Sequence, residues 1–210
     1  MMAARITASL TFLQHILAEV LRPGDLAVDA TVGNGHDTAL LARLVGPSGL
    51  VHGFDVQAEA IESAGRLLAA VGLAERVRLY ALGHERLAEV LPQADHGRAA
   101  AVVFNLGYLP GGDETRVTRP ETTLAALEAS RKILAPGGVI ALACYGGHSG
   151  GAEETQAVAA WCRSLPFAGW RVARYELINK PGGPIVAFIA HKLQGGASTQ
   201  NASGVSLATD

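Results

Sequence analysis

The stretch Leu26-Ala-Val-Asp-Ala-Thr-Val-Gly-Asn-Gly-His-Asp-Thr38 runs from an apolar strand through an acidic residue and a glycine turn into a helix. Such a turn aims bare backbone N–H groups and the positive end of a helix at one spot, where an anionic or polar cofactor can sit. Asp29 ends the strand, and Gly33 and Gly35 permit positive φ and close approach of a ligand to the backbone. Thr31 and Asn34 complete the turn, and His36, Asp37 and Thr38 open the helix, the last two either as caps or as cofactor contacts. Thr38 stands where a dinucleotide fingerprint needs its third glycine. Asp55 closes a second apolar strand twenty residues after Gly35, the place where a carboxylate meets the two hydroxyls of an adenosine ribose. Gln57 either shares that ribose or begins the next helix. His84 and Glu85 follow a third strand, beside the base of such a cofactor.

A second set of chemical groups lies in Asn105-Leu-Gly-Tyr-Leu-Pro-Gly-Gly-Asp113. Asn105 and Tyr108 have an Asn-x-x-Tyr spacing, followed by a proline and two glycines that hold a tight loop. The segment is similar to the Asn-Pro-Pro-Tyr element of methyltransferases that act on exocyclic amines of bases. An amine nucleophile must aim its lone pair at the methyl donor while its N–H groups find acceptors. The Asn105 side-chain oxygen and a neighbouring carbonyl can supply them, and Tyr108 can stack on a flat ring. Further on, Tyr145-Gly-Gly-His-Ser-Gly-Gly-Ala-Glu153 forms a second glycine-rich loop. There Tyr145 and His148 can line the substrate side, and His148 can take the proton that methylation releases. Asn105 capping a turn, Tyr108 packing in a core and His148 as a structural histidine are the bland alternatives.

These groups need a frame. Ile6, Leu10, Leu13, Leu17 and Leu21 recur at helical spacing until Pro23-Gly24. Strand-like runs at 26–31, 50–55, 77–81, 100–105 and 139–145 alternate with helix-like runs at 36–45, 59–71, 84–91, 121–134 and 153–165. That alternation predicts a mostly parallel α/β sheet, doubly wound, with helices on both faces. Runs at 171–178 and 185–191 have no helix between them, so they pair antiparallel. A seven-stranded Rossmann-like sheet ending in an antiparallel hairpin resembles class I S-adenosylmethionine (SAM) methyltransferases; a dehydrogenase would continue with another βαβ half.

The 210 residues suit one domain, taken as 1–193, with a low-complexity tail at 194–210 read as disordered. Apolar residues are 49% and charged residues 17%, and no apolar run is long enough to span a membrane. The segment Met1 to Ser9 lacks the apolar stretch of a secretory signal. The two cysteines, Cys144 and Cys162, have no metal-type spacing, so no metal is expected and a reducing cytoplasm is. A net charge of −2 offers no global attraction to nucleic acid. An RNA substrate would need a local patch, for which Arg116, Arg119 and Lys180 are the candidates, although each taken singly reads better as ordinary surface charge.

The motifs at 29–38, 54–57, 104–113 and 145–153 together resemble a bacterial family of small class I methyltransferases labelled rRNA methylases. The likeness covers about residues 10–192, and the Asn105–Asp113 loop is its most specific part. It implies SAM as donor and, as acceptor, the amine of 5-aminomethyl-2-thiouridine at a tRNA wobble position, giving 5-methylaminomethyl-2-thiouridine. It also implies cofactor contacts from Asp29, the 31–38 turn, Asp55, Gln57, His84, Glu85 and Asn105. Substrate contacts would come from Tyr108, Asp113, Tyr145 and His148. The implied partner is a tRNA anticodon stem-loop, and a homodimer stays open. The rivals are an rRNA methyltransferase of a cytosine exocyclic amine, whose family shares the Asp-x-Thr-x-Gly-x-Gly turn, a small-molecule amine methyltransferase, and a SAM-binding protein without chemistry.

Overall fold

The computed structural model describes residues 6–107, 117–182 and 185–195. Helix α1 (Ser9–Val20) precedes β1 (Leu26–Asp29), α2 (His36–Leu44), β2 (Leu50–Phe54), α3 (Ala58–Ala70) and β3 (Val77–Tyr80). A 3-10 turn at His84–Arg86 leads into α4 (Leu87–Val90), then β4 (Ala99–Leu106), α5 (Pro120–Ile133) and β5 (Leu134–Tyr145). Helix α6 (Gly151–Ser164), β6 (Trp170–Tyr175) and β7 (Ile185–Lys192) complete the chain. Tyr108, Asp113 and Arg116, and the tail beyond residue 195, lie outside the described residues.

The strands form one seven-stranded sheet in the order β3-β2-β1-β4-β5-β7-β6. The first five are parallel, while β7 runs antiparallel to both β5 and β6. Strands β4 and β5 are almost wholly apolar because both their faces are covered. Ala27, Val51, Val103, Ala141 and Ile189 share one core with Leu13 and Leu17 of α1, Leu41 of α2 and Leu68 of α3. Val28, Phe54, Phe104, Leu142 and Phe188 share the other with Leu87 of α4, Leu127 of α5 and Trp161 of α6. Strand order reverses between β1 and β4, and the crevice outside their carboxyl ends is where ligands bind in such sheets.

Several boundaries differ from the periodic expectation. Ile6 lies before α1 and is 86% exposed, because the helix begins at Ser9, whose hydroxyl donates to the Ile185 carbonyl at 2.6 Å. The expected helix at 84–91 is a 3-10 turn plus a single α-turn, since Pro92 closes off any continuation. Strand β5 starts directly after α5, and the extra residues around Pro136-Gly137-Gly138 appear as a register shift opposite Ala99 and Ala101. Strand β6 ends at Tyr175, whose ring stacks on Phe12 of α1 with centroids 4.2 Å apart. Among the described residues, no helix is long and apolar enough to cross a membrane. Both cysteines are buried, and burial pushes the Cys144 thiol up and the Cys162 thiol up to about 12.

The glycine turn has a steric cause. Gly35 precedes α2 with φ +85°, and a Cβ there would lie 2.8 Å from both Cα and Cβ of Ala64 in α3. Gly35→Ala therefore combines a left-handed backbone penalty with an overpacked helix contact, each about 1–3 kcal/mol. A lowered urea midpoint at unchanged m is the expected result; an unaltered midpoint would contradict the contact.

Candidate active site

Three acidic residues and one asparagine meet at the carboxyl rim of β1, β2 and β4. Asp29 is fully buried at the end of β1. One of its oxygens accepts from the Thr31 N–H at 3.1 Å and the other from the Thr38 hydroxyl at 2.6 Å. Thr38 is thus tied to Asp29 from within α2. Burial pushes the Asp29 carboxyl up to about 7, against the Thr38 hydrogen bond, and the charges of Asp37 and Asp55 add to the rise.

Asp55, just beyond β2, binds across the turn. Its carboxylate accepts from the Gly33 N–H and the Gln57 N–H, both at 2.9 Å. Those bonds fix the carboxylate and leave each oxygen a further lone pair for a hydroxyl. Gln57 is buried and caps the start of α3, while Val56 beside it is 68% exposed. The sequence alone assigns Val56 no role. Its signal is an apolar residue directly after a strand-end carboxylate.

Asn105 lies one residue before the end of β4. Its N–H donates to the Thr31 hydroxyl at 2.7 Å, and its side-chain Nδ2 donates to an Asp37 oxygen at 2.6 Å. The other Asp37 oxygen faces Gln14 Nε2 of α1 at 3.4 Å. Tyr145 ends β5 and packs its ring beside Gly107, where an added Cβ would lie 3.5 Å away. Burial and then the Asp37 charge push its phenol pKa up. Asp29, Thr31, Gly33, Asp37, Thr38, Asp55, Asn105 and Tyr145 therefore form one cluster. Asn34 is half-buried in the turn, and His36 is exposed at the start of α2.

Other sequence candidates sit elsewhere. His84 is 8% exposed, with Nδ1 3.2 Å from the Ala30 carbonyl and its ring edge-on to Phe104. It acts as a strut beneath the turn, and burial pushes its pKa down. Glu85 is half-buried, with its carboxylate folded over Gly83. His148 has Nδ1 3.0 Å from the Ser149 carbonyl, and its ring lies over Gly151 at the start of α6. Arg119 and Lys180 are exposed.

Two residues escaped the sequence reading. Gln14 reaches the cluster only because α1 folds across the sheet. Glu154 is 1% exposed and accepts from the hydroxyls of Thr118 and Thr123, both at 2.6 Å. It anchors the end of the segment after β4, whose base is closed by the Thr118 N–H on the Gly107 carbonyl at 3.0 Å. The helical phase of Glu154, Val158, Trp161 and Cys162 could have revealed it, since Glu153 is exposed.

The donor set fits SAM. The paired backbone bonds leave the Asp55 carboxylate able to accept from ribose hydroxyls, the glycine turn suits close approach of a ligand, and the carboxylates have the charge to complement a sulfonium cation. A doubly wound sheet whose strand β7 runs antiparallel to both its neighbours, with this rim, defines a class I SAM-dependent methyltransferase, and SAM is its cofactor. The chain belongs to the family described as "Putative rRNA methylase", which matches residues 51–191. It is 41% identical over 188 residues to the Arabidopsis thaliana "tRNA (mnm(5)s(2)U34)-methyltransferase, chloroplastic", covering 85% of this chain and 68% of that protein. A Clostridium thermocellum structure, "putative rRNA-methylase", is 37% identical with TM-score 0.86, over 90% of this chain and 100% of that one. A Streptococcus mutans "putative methyltransferase" in complex with SAH is 30% identical with TM-score 0.78, over 89% and 99%.

If Asp55 holds the ribose, Asp55→Ala is expected to weaken SAM binding by about 1.5–3 kcal/mol, as for other charged acceptors. Calorimetry with SAM checks this, and an unchanged Kd would remove Asp55 from the cofactor site.

Proposed function

We propose that this chain transfers a methyl group from SAM to an alkyl-amine nitrogen on a tRNA wobble uridine, converting 5-aminomethyl-2-thiouridine to 5-methylaminomethyl-2-thiouridine. The observation that carries the reading is Asn105, placed at the carboxyl end of β4 with its amide nitrogen held by Asp37. The similarity to the Arabidopsis thaliana enzyme supports the substrate.

SAM supplies an electrophilic methyl group. Asp55 and the 33–35 turn hold its nucleoside end, and exposed Val56 offers the adenine an apolar face. Asn105 Oδ1 accepts an N–H of the incoming amine and turns its lone pair toward the methyl. Tyr108 stacks on the uracil ring, and Tyr145 and Asp113 border the substrate. An alkyl amine is mostly protonated at neutral pH, so the site must favour its neutral form. His148, whose Nδ1 lies 3.0 Å from the Ser149 carbonyl, is the candidate to take the proton that methylation releases. The partner is the anticodon stem-loop, bound in the cytoplasm by the domain spanning 1–193.

The family description favours a second reading, a base exocyclic amine in rRNA. Nucleoside mass spectrometry of tRNA and rRNA from a strain lacking the gene separates the two. Loss of 5-methylaminomethyl-2-thiouridine with accumulation of its aminomethyl precursor is expected. A missing methylated rRNA base with unchanged tRNA would replace the proposal with the second reading.

A further inference from the structure

We infer that Asp37 is a positioning residue that sets which end of the Asn105 amide meets the nucleophile. The inference rests on the reading of Asn105 as acceptor for the amine. A primary amide has two faces of opposite character, and rotation about its last side-chain bond exchanges them. The oxygen welcomes an amine N–H; the NH2 group repels it and competes for its lone pair. Backbone pairing places Asn105 opposite Ala143 on β5, but pairing does not choose between the two amide orientations.

Asp37 makes that choice. Its Oδ2 is 2.6 Å from Asn105 Nδ2, and a carboxylate can only accept, so the NH2 end must face it. The Asn105 oxygen then points away from Asp37. A flipped amide would set oxygen against carboxylate and forfeit a charge-assisted bond. Asp37 is itself held in place. It lies in the first turn of α2, where the helix dipole favours negative charge, and its Oδ1 faces Gln14 Nε2 at 3.4 Å. A capping role alone would need neither the Asn105 contact nor Gln14. Asp37 acts through Asn105, so its loss should do nothing once Asn105 is gone.

The test is a double-mutant cycle on Asp37→Asn and Asn105→Ala in the full chain. The assay uses SAM and a synthetic anticodon stem-loop carrying 5-aminomethyl-2-thiouridine. Asparagine at 37 keeps the shape but can either donate or accept, so the orientation is no longer dictated. Expected is a fall in kcat of about tenfold or more, a KM for SAM within about threefold, and no further loss in the Asn105→Ala background. An unchanged kcat, an equal loss in both backgrounds, or an effect confined to KM for SAM would each overturn the inference. A readout without turnover is the side-chain amide resonance pair of Asn105, assigned by its absence in Asn105→Ala. Asp37→Asn should move that pair, and an unmoved pair overturns the inference even if the wild-type chain fails to methylate this RNA. Such a failure would count against the proposed function alone. If Asp37→Asn does not fold, Asp37→Ser, which suits a first helical turn but carries no carboxylate, takes its place in both arms.

Discussion

Asn105→Ala is expected to lower the methyl-transfer rate by about two to three orders of magnitude while leaving SAM affinity within about threefold. The size follows from what the amide does. A neutral amine that gains a methyl develops positive charge before its proton leaves, and a fixed oxygen beside its N–H stabilises that charge without reorganising. Alanine leaves a gap that water fills only by reorganising. SAM affinity is expected to be spared because the Asn105 side chain is bonded to Asp37 and its N–H to Thr31, while the ribose contact is proposed for Asp55. Single-turnover kinetics and calorimetry measure the two quantities separately. A variant that loses affinity and keeps its saturated rate would make Asn105 a cofactor ligand instead.

The second large effect concerns Asp29 and pH. Its carboxyl is pushed from 3.8 up to about 7, first by burial and further by the charges of Asp37 and Asp55. The folded protein therefore keeps a proton that the unfolded chain has already lost. The stability this confers is fully present below about 4 and declines as pH rises to about 7, at up to about 1.4 kcal/mol per pH unit. Above that pH the folded protein carries a buried carboxylate whose charge two neighbours oppose. Asp29→Asn should remove most of the decline, so the SAM-free variant gains stability over the wild type at pH 8 and gains none at pH 4. The same charge favours a cation. SAM binding to the wild type should tighten as pH rises through about 7 and release protons, whereas Asp29→Asn should bind more weakly with a flat pH profile. Urea titrations at the two pH values and calorimetry in buffers of different ionisation enthalpy test both halves. A wild-type stability that is level between pH 4 and 8 would mean the carboxyl is not raised.

On these expectations Asp29 would lower stability at working pH and favour a bound cation, whereas Asn105 would contribute through orientation. Sites that hold charge in a buried cluster commonly carry such a stability cost.

Much of the fold was legible because the alternation of strand and helix periods is a local property. Ala100 to Asn105 and Val139 to Tyr145 read as fully buried strands from their apolar runs alone, and the short link between the last two strands required an antiparallel pair. Asp29, Gly33, Gly35, Asp55 and Asn105 were legible for a related reason: each sits at a strand end or in a turn, where residue type is constrained by backbone geometry. The likeness to a known family supplied the proposed substrate class, which no spacing contains.

Other features had no local signature. His84 reads as a residue at the start of a helix, yet its ring serves the sheet beneath the turn, because Ala30 lies 54 residues away in sequence and 3.2 Å away in space. Gln14 looks like any polar position on an amphipathic helix until α1 crosses the sheet and brings it to Asp37. Helical phase alone sets Glu154 on the buried face of α6, but the hydroxyls it meets there, those of Thr118 and Thr123, are brought to it only by tertiary packing.

By itself the sequence determined the parallel sheet, its reversed ending, and which residues stand at the carboxyl rim, because strand period, turn length and glycine placement are set by neighbours along the chain. The tertiary structure alone decided how those residues are charged and aimed. Burial and the approach of two other carboxylates raise Asp29, and the contact between α2 and β4 orients the Asn105 amide. Both effects depend on distances between segments that the chain order does not contain.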